Sequence, residues 1–272
     1  MEKLESIIKQ KESEPAPPAT ACKQCGGEAK PKFITMLGWR QQEHCAPCAE
    51  VLRKEQEQRE AEKQKADRIS KLLDNSGIMR GKLSRMTFEE FEKKHQGNAF
   101  DAAKKYAEEF GTDTKTGLFF FGKAGAGKTH LAVSIARYVV EKKQIAVKFA
   151  RVTDLLLDIR QTYNTDEYYR TENEMALLRK YSSVPLLILD DLGTEKASEW
   201  ARQILYQIVD SRWIDDKPLV ITSNLTLREL AERFDDRISS RIGGACEIFE
   251  AQSHDYRIER KETLSKSMEM PR

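Results

Sequence analysis

Residues 118–129 read LFFFGKAGAGKT, a short apolar run followed by a glycine-rich turn. The turn matches the pattern G-x-x-x-x-G-K-[ST], and it lies between a predicted strand and a predicted helix, the context that a phosphate-binding loop requires. Glycines let the backbone wrap closely around phosphates, and the helix N-terminus adds partial positive charge there. The stretch therefore predicts a nucleotide site built from Gly122, Gly125, Gly127, Lys128 and Thr129.

Two of these side chains have distinct expected roles. Lys128 is expected to reach the β- and γ-phosphates of ATP, and the Thr129 hydroxyl is expected to ligate Mg²⁺. A chance glycine turn is the alternative, and both the spacing and the context argue against it.

A second apolar strand ends in two acidic residues. Residues 186–191 read LLILDD, and open α/β sheets bind ligands at the carboxyl ends of their strands. We expect Asp190 to hold Mg²⁺ through water and Asp191 to orient or deprotonate the attacking water. Such an end is also compatible with solvated acids that only cap the strand, but the phosphate loop favours the catalytic interpretation.

The next apolar strand ends in Thr222-Ser223-Asn224. A neutral amide beside the γ-phosphate reports hydrolysis by gaining or losing a hydrogen bond, so Asn224 is a candidate sensor. A simple turn residue is the alternative.

Strands and helices alternate from about residue 85 onward. Buried strands alternating with amphipathic helices predict an α/β fold with three layers, in which a parallel sheet is covered on both faces. Thr153 is expected to cap the helix that follows the second strand. The strands are expected near residues 118–121, 146–150, 185–190, 219–222 and 246–249.

Residues from about 85 to 260 resemble an AAA+ ATPase of the helicase-loader group of DnaC and DnaI, with the transposition helper IstB as a close relative. The resemblance rests on the ordered motifs GKAGAGKTHLA, LLILDDLG, ITSN, DDRISSRI and HDYRIER, and on the lead-in Thr87-Phe88-Glu89. It implies a P-loop ATPase that uses ATP and Mg²⁺. It also implies a hexameric replicative helicase of the DnaB type and single-stranded DNA as partners. An IstB-like ATPase that assists a transposase is the alternative.

The same resemblance assigns roles to three arginines. Arg241 matches the arginine finger, which acts on a neighbouring subunit and so implies self-association. Arg237 is a neighbouring basic position, and Arg257 matches the second sensor. A guanidinium offers a planar, permanently charged fork to developing phosphate charge. An exposed salt bridge is the alternative for each arginine.

The chain departs from the family pattern in two places. The second acid of this strand is glutamate in many AAA+ proteins, whereas Asp191 is one methylene shorter, which indicates slow, partner-stimulated hydrolysis. A pure binding protein that has lost hydrolysis is the alternative. About 20 residues follow the last predicted strand, too few for a full helical lid. We therefore expect a reduced C-terminal lid, a single helix that carries Arg257.

Four of the five cysteines form two pairs, Cys22-x2-Cys25 and Cys45-x2-Cys48. This spacing is typical of a four-cysteine zinc ribbon, in which the thiolates complete a tetrahedron around Zn²⁺. A redox-active or iron–sulfur set is the alternative. Cys246 lies on a predicted buried strand and is expected in the core.

Composition suggests four zones along the chain. Residues 1–20 are polar and proline-containing, so we expect a flexible leader. Residues 21–50 form the zinc-binding module, residues 51–84 a charged helical linker, and residues 85–272 the ATPase domain. Lys and Arg number 46 against 44 Asp and Glu, a net charge of +2. No global field therefore draws the protein to nucleic acid, and any such contact must be local.

No apolar run approaches the roughly 18 residues of a membrane span, and the N-terminus lacks the apolar core of a signal peptide. We therefore expect a cytoplasmic protein with no membrane contact. The resemblance makes the zinc-binding module the helicase-binding part, and its contact face is expected to comprise Phe33, Met36 and Trp39. A small core made by the same residues is the alternative.

Two segments are candidates for holding single-stranded DNA, because they combine basic and aromatic residues. One runs from Arg160 to Arg170, and the other pairs Lys196 with Trp200. Aromatic side chains that pack helices together are the alternative in both. The aromatic residues of the first segment are Tyr163, Tyr168 and Tyr169.

Overall fold

A computed structural model gives the conformation of residues 14–35, 37–92, 97–162, 167–195 and 198–251, with backbone alone described for 167–173. The chain divides into two units, Met1–Asp67 and Arg68–Arg272. The zone boundaries inferred from composition stay predictions.

The first unit contains two short antiparallel hairpins. Strand β1 (Thr20–Ala21) pairs with β2 (Glu28–Ala29), and β3 (Lys32–Ile34) pairs with β4 (Gly38–Arg40). The long helix α1 (Ala46–Ser76) begins here and ends in the second unit. Its exposed ion pairs lie three and four residues apart, and solvent screens such pairs, so they stabilise the helix little. Among the described residues of this unit, Cys22 and Ala29 are the buried apolar side chains, so apolar burial is sparse.

The second unit is built on five parallel strands in the order β6-β7-β8-β5-β9. This confirms the predicted parallel sheet. The strands β7 and β8 lie inside it and are buried almost throughout, as a sheet covered on both faces requires. The five strands are β5 (Gly117–Phe121), β6 (Val147–Arg151), β7 (Leu186–Leu192), β8 (Leu219–Ser223) and β9 (Cys246–Glu250).

Helices cover both faces of the sheet and enclose two apolar cores. The core on one face includes Ile69, Leu72 and Leu73 from the end of α1 and side chains of α2 and α3. The core on the other face takes side chains from α4, α5, α6, α7 and α8. These helices are α2 (Asn98–Glu109), α3 (Lys128–Tyr138, followed by a π-helical turn, Val139–Lys143), α4 (Val152–Gln161), α5 (Glu167–Ser183), α6 (Glu199–Ile214), α7 (Leu227–Arg233) and α8 (Asp236–Ala245). The three-layer α/β architecture is thereby confirmed.

The expected cap of α4 is wrong. The helix begins at Val152, one residue before Thr153, and Arg151 holds the N-cap position without a side-chain hydrogen bond. Val152, Leu155 and Ile159 are fully buried on one side of the helix. Burial of this apolar side, rather than a capping hydroxyl, therefore sets where the helix begins.

Within the described ranges, no helix combines the length and the apolar character that crossing a membrane requires. Arg257 and the predicted lid helix fall in residues 252–272, which lie outside the described residues. Met36, Tyr163 and Lys196 lie outside them as well.

Candidate nucleotide site and cysteine cluster

The phosphate loop joins β5 to α3 and uses glycine where the backbone requires it. Gly122, Gly125 and Gly127 have φ values of 138°, 78° and 84°, a region that residues with a Cβ rarely adopt. A Cβ at Gly127 would also lie 2.8 Å from the ring of Phe91. Phe91 therefore packs directly on the loop. The lead-in is tied to α3, because His130 Nε2 hydrogen-bonds the carbonyl oxygen of Thr87 at 2.7 Å.

The Lys128 side chain curls back over this loop. Its ammonium donates to the carbonyl oxygens of Gly122 at 2.7 Å and Lys123 at 2.8 Å, and to Asn224 Oδ1 at 2.9 Å. Lys128 is buried, and all three of these acceptors are neutral oxygens. A phosphate oxygen, which carries negative charge, would be a stronger acceptor for the same ammonium.

Asp190 ends the regular part of β7 and accepts two hydroxyl hydrogen bonds. Thr129 Oγ1 donates to Asp190 Oδ1 at 2.8 Å, and Thr222 Oγ1 donates to the same oxygen at 2.7 Å. Burial raises the pKa of Asp190, although the hydrogen bonds from both hydroxyls oppose this shift. Hydroxyl and carboxylate oxygens are the ligands that Mg²⁺ prefers, so Thr129 and Asp190 fit a magnesium site.

Asp191 adopts a backbone conformation that is uncommon for a residue other than glycine, with φ = 63°. Its carboxylate accepts a hydrogen bond from Asn224 Nδ2 at 3.2 Å. Because Asn224 also accepts from Lys128, one amide connects the lysine to the acid. The sequence-predicted residues Lys128, Thr129, Asp190, Asp191 and Asn224 thus lie together at the carboxyl ends of β5, β7 and β8.

Arg241 lies apart from this group in its contacts. Its guanidinium donates to Asp210 Oδ1 at 2.7 Å and lies 4.0 Å from the centre of the Trp213 ring. Arg237 forms an ion pair with Asp235 and lies over the Tyr206 ring. Both arginines therefore have partners in their own chain that are not residues of the phosphate loop.

Two side chains at this edge of the sheet have no assigned role in the sequence-based prediction. Thr222 stands inside the ITSN motif, where Asn224 alone received a function. Glu195 is buried, accepts from the Gly193 N–H at 3.2 and 3.3 Å, and has its pKa raised by burial. From sequence alone, Glu195 is expected to be an exposed loop residue, because it is an acid four residues after Asp191. No sequence pattern predicts that it is buried.

The DNA candidates are described only in part. Arg160 is exposed near the end of α4. Trp200 is half-buried and packs against the core on the α6 face. The side chains of Tyr168, Tyr169 and Arg170 lie outside the described residues.

The four cysteines of the first unit converge on one point. The Sγ atoms of Cys22, Cys25, Cys45 and Cys48 all lie within 4.8 Å of one another. A tetrahedral zinc ion with bonds of about 2.3 Å places its sulfur ligands about 3.8 Å apart. The cluster therefore fits Zn²⁺.

The two cysteine pairs are positioned by different local structures. Cys22 and Cys25 lie in the tight turn between β1 and β2, where Gly26 has φ = 72° and the Gly27 N–H donates to Cys25 Sγ at 3.4 Å. Cys45 directly precedes α1, and Cys48 lies in its first turn. One turn and one helix start therefore present two thiols each.

Protonation in the cluster is uneven. Hydrogen bonds from backbone groups, first those of Cys45 and Cys25, lower the pKa of Cys22 to about 5. Side-chain hydrogen bonds with Cys45 and Cys25 raise the pKa of Cys48 to about 12. His44 Nδ1 lies 3.9 Å from Cys22 Sγ and also favours its thiolate. Metal binding by Cys48 as a thiolate would therefore release its proton.

Comparison with known proteins identifies the family to which this chain belongs. Residues 48–264 match the IstB-like ATP binding protein family. The replicative helicase loader DnaC of Buchnera aphidicola subsp. Schizaphis graminum is 30% identical over 218 residues, which cover 78% of this chain and 82% of that protein. DnaC of Escherichia coli K12 is 27% identical over 241 residues, covering 86% and 92%.

A crystal structure of the DnaC helicase loader shares the fold. Its TM-score is 0.54 at 25% identity, and the match covers 62% of this chain and 97% of that one. The motif-based resemblance is confirmed, and with it an AAA+ fold of the general ATPase type. The chain belongs to the IstB-like ATP-binding protein family, and its relatives include the DnaC replicative helicase loaders.

Proposed function

We propose that this chain is an ATP-dependent loader of a hexameric, DnaB-type replicative DNA helicase, and that it binds ATP with Mg²⁺ and single-stranded DNA. One observation carries the proposal. The phosphate site is connected by hydrogen bonds, which join Lys128 to Asn224 and Asn224 to Asp191, and Thr129 to Asp190 beside them. This site occurs in a chain that is similar to two DnaC loaders over 82% and 92% of their length.

The chemistry follows from the residues that are already in contact. Lys128 exchanges Asn224 and the loop carbonyls for the phosphates of ATP, and this frees the Asn224 amide to bind near the γ-phosphate. Asp191 then orients the attacking water and accepts its proton. Thr129 and Asp190 would hold Mg²⁺, which supplies neutralisation of the phosphate charge when bound.

Arg241 acts in this proposal as a finger toward the nucleotide of a neighbouring copy. Its partners Asp210 and Trp213 are not residues of its own phosphate loop. The Arg241–Asp210 pair is partly exposed, so solvent screens its attraction. In this proposal the guanidinium exchanges Asp210 and the Trp213 ring for the phosphate of a neighbouring copy. Arg257 is proposed as the second sensor on its motif alone.

The cysteine cluster is proposed to hold Zn²⁺ and to support the surface that docks on the helicase. Ile34 and Leu37, at the turn between β3 and β4, are 40% and 54% exposed. Phe33 and Trp39 pack edge to face at 5.5 Å on the same hairpin. A hairpin that carries an aromatic pair and exposed aliphatic side chains is a suitable protein-contact surface.

Hydrolysis is proposed to be slow until partners are bound. The short side chain of Asp191 is committed to Asn224 at 3.2 Å, and the arginine finger must come from another copy. Both features make turnover depend on assembly.

The family match favours a second candidate, an IstB-like ATPase that assists a transposase. The two candidates differ in their protein partner. The cysteine cluster favours the loader, because by resemblance the transposition helper generally lacks such a module.

The deciding experiment is co-purification of the chain with a hexameric replicative helicase in ATP and Mg²⁺, with zinc content measured on the same sample. We expect a stable complex, and ATP turnover that rises with helicase and single-stranded DNA and is absent in Lys128→Ala. Binding to a transposase without binding to the helicase would overturn the loader assignment.

A further inference from the structure

The two acids at the end of β7 have an unexpected arrangement. Successive side chains of a regular strand point to opposite faces of the sheet. Asp190 and Asp191 are consecutive, yet one contacts Thr129 and the other contacts Asn224. Both contacts belong to the phosphate site, so the strand must depart from regular geometry here.

The departure is visible in the strand pairing. The register between β7 and β8 shifts between Leu189 and Leu192, so the regular pairing of these two strands is interrupted at the two acids. Asp191 has φ = 63° and Gly193 has φ = 100°. This bulge turns the second acid toward the site that the first acid already faces.

The Thr222 hydroxyl bonds both acids at this irregularity. Its oxygen accepts from the Asp191 N–H at 2.9 Å and donates to Asp190 Oδ1 at 2.7 Å. Thr222 is 1% exposed, so no water substitutes easily for either bond. A hydroxyl has a single proton to donate, and here that proton is directed to the carboxylate.

The neighbouring hydroxyl holds the other side of the bulge. Ser223 Oγ donates to the carbonyl oxygen of Leu192 at 2.6 Å and accepts from the Leu225 N–H at 3.0 Å. The N–H of Asp191 and the carbonyl oxygen of Leu192 are therefore each bonded to a side-chain hydroxyl of β8.

We propose that Thr222 is a positioning residue for the ATP–Mg²⁺ site, acting on both acids of β7 through one hydroxyl. The inference rests on the proposed ATP-dependent function. Thr222 sets the orientation of the Asp190 carboxylate and the backbone conformation of Asp191. It is not a catalytic residue, because it acts through these two acids.

A threonine at this position has a simpler explanation, which the same side chain allows us to test. β-Branched residues pack well in a central strand, and valine has almost the same shape as threonine. If packing alone required Thr222, valine would serve equally well. If the hydroxyl positions the acids, valine leaves the half-buried Asp191 N–H without this acceptor and removes one donor from Asp190.

The experiment compares Thr222→Val with Thr222→Ser in the full chain. Ser134→Ala is the matched control, since Ser134 is a buried hydroxyl without a hydrogen-bond partner among the described residues. Binding of a fluorescent ATP analogue is titrated with Mg²⁺ and repeated in EDTA, and steady-state hydrolysis is measured beside it. We expect Thr222→Val to raise the half-saturating Mg²⁺ concentration about tenfold. Thr222→Ser and Ser134→Ala should stay within about twofold of the wild type, and binding in EDTA should be equal in all four proteins.

Equal Mg²⁺ dependence in Thr222→Val and the wild type would overturn the proposal, as would equal losses in the valine and serine variants. Circular dichroism checks folding, and Thr222→Ala replaces Thr222→Val if the latter does not fold. A wild type that binds ATP with Mg²⁺ but hydrolyses none with helicase and DNA would overturn the proposed function alone, because the binding titrations still decide the role of Thr222.

Discussion

The cysteine cluster and the phosphate site are assembled in opposite ways. All four cysteines lie within residues 22–48, and a turn and a helix start bring them together. In the phosphate site, Thr129 and Asp190 are 61 residues apart, and Lys128 and Asn224 are 96 apart. A short-range pattern is enough to predict the first site, whereas the second exists only when β5, β7 and β8 are ordered side by side.

The two regions also differ in what stabilises them. Among the described residues of the first unit, Cys22 and Ala29 are the buried apolar side chains, so apolar packing contributes little to that unit and the proposed Zn²⁺ would have to supply much of its stability. The second unit encloses two apolar cores, one on each face of the sheet that carries its site. A substitution in one region should therefore leave the stability and the ligand binding of the other region unchanged.

Loss of one thiol should give the largest effect, confined to the first unit. Cys48→Ser is expected to abolish stoichiometric zinc binding and to unfold the region around the hairpins, because structural zinc contributes on the order of 10 kcal/mol. Metal analysis and circular dichroism measure the loss. The affinity for an ATP analogue should stay within about twofold, since the phosphate site lies in the other unit.

Cys246→Ala is the matched control for this variant, because Cys246 is a buried cysteine of β9 outside the cluster. It should retain full zinc content. A parallel loss of ATP affinity in Cys48→Ser would show that the two regions are coupled.

Loss of the loop lysine, Lys128, should weaken ATP binding and leave zinc binding unchanged, the reverse of what is expected for Cys48→Ser. Lys128→Ala is expected to weaken ATP-analogue binding at least about a hundredfold, because it removes charge-assisted hydrogen bonds to phosphate. Zinc content should be unchanged. Lys123→Ala, an exposed lysine of the same loop, should bind within about threefold of the wild type, and equal losses in both variants would argue against a specific role for Lys128.

The end of the sheet opposite the phosphate site offers a third test. Arg212 is fully buried, and its guanidinium donates to five carbonyl oxygens that lie before β7 and β8. Burial lowers its pKa to about 10, so the group remains charged at neutral pH. The carbonyls are those of Tyr181, Ser182, Val184, Pro185 and Pro218.

Arg212→Met is expected to lower the free energy of unfolding by about 3 kcal/mol, because buried carbonyls lose their donors. Urea unfolding of the ATPase unit measures this change. Arg228→Met, at an arginine whose side chain is 89% exposed, should change stability by less than about 0.5 kcal/mol. A comparably small loss of stability in Arg212→Met would mean that the segments before β7 and β8 keep their positions without the hydrogen bonds from Arg212.

The smallest effect concerns a local motif inside the second unit. Thr226 caps α7 in a capping box with Glu229, and Thr226→Ala is expected to cost about 1 kcal/mol in urea unfolding. Thr153→Ala is the matched control, since Thr153 lies inside α4 and does not cap it. Losses of equal size in the two variants would contradict the capping assignment.

The sequence by itself determined what depends on neighbours along the chain. The cysteine pairs, the glycine loop and the alternation of apolar strands with helices are patterns of a few residues, and each is explained by local geometry. The order of these patterns was also enough to indicate the family. Even Asp190, Asp191 and Asn224 could be assigned to one edge of the sheet, because parallel strands carry their carboxyl ends to the same side.

The tertiary structure decided what depends on contacts between distant segments. The positive φ of Asp191 follows from the register shift between β7 and β8, which no property of either strand alone indicates. The Thr222 hydroxyl, the buried charge of Arg212 and the pairing of Arg241 with Asp210 likewise need two or more elements in place. Each of these side chains reads as ordinary in sequence, because its role comes from partners that only the packed sheet and helices bring within hydrogen-bond distance.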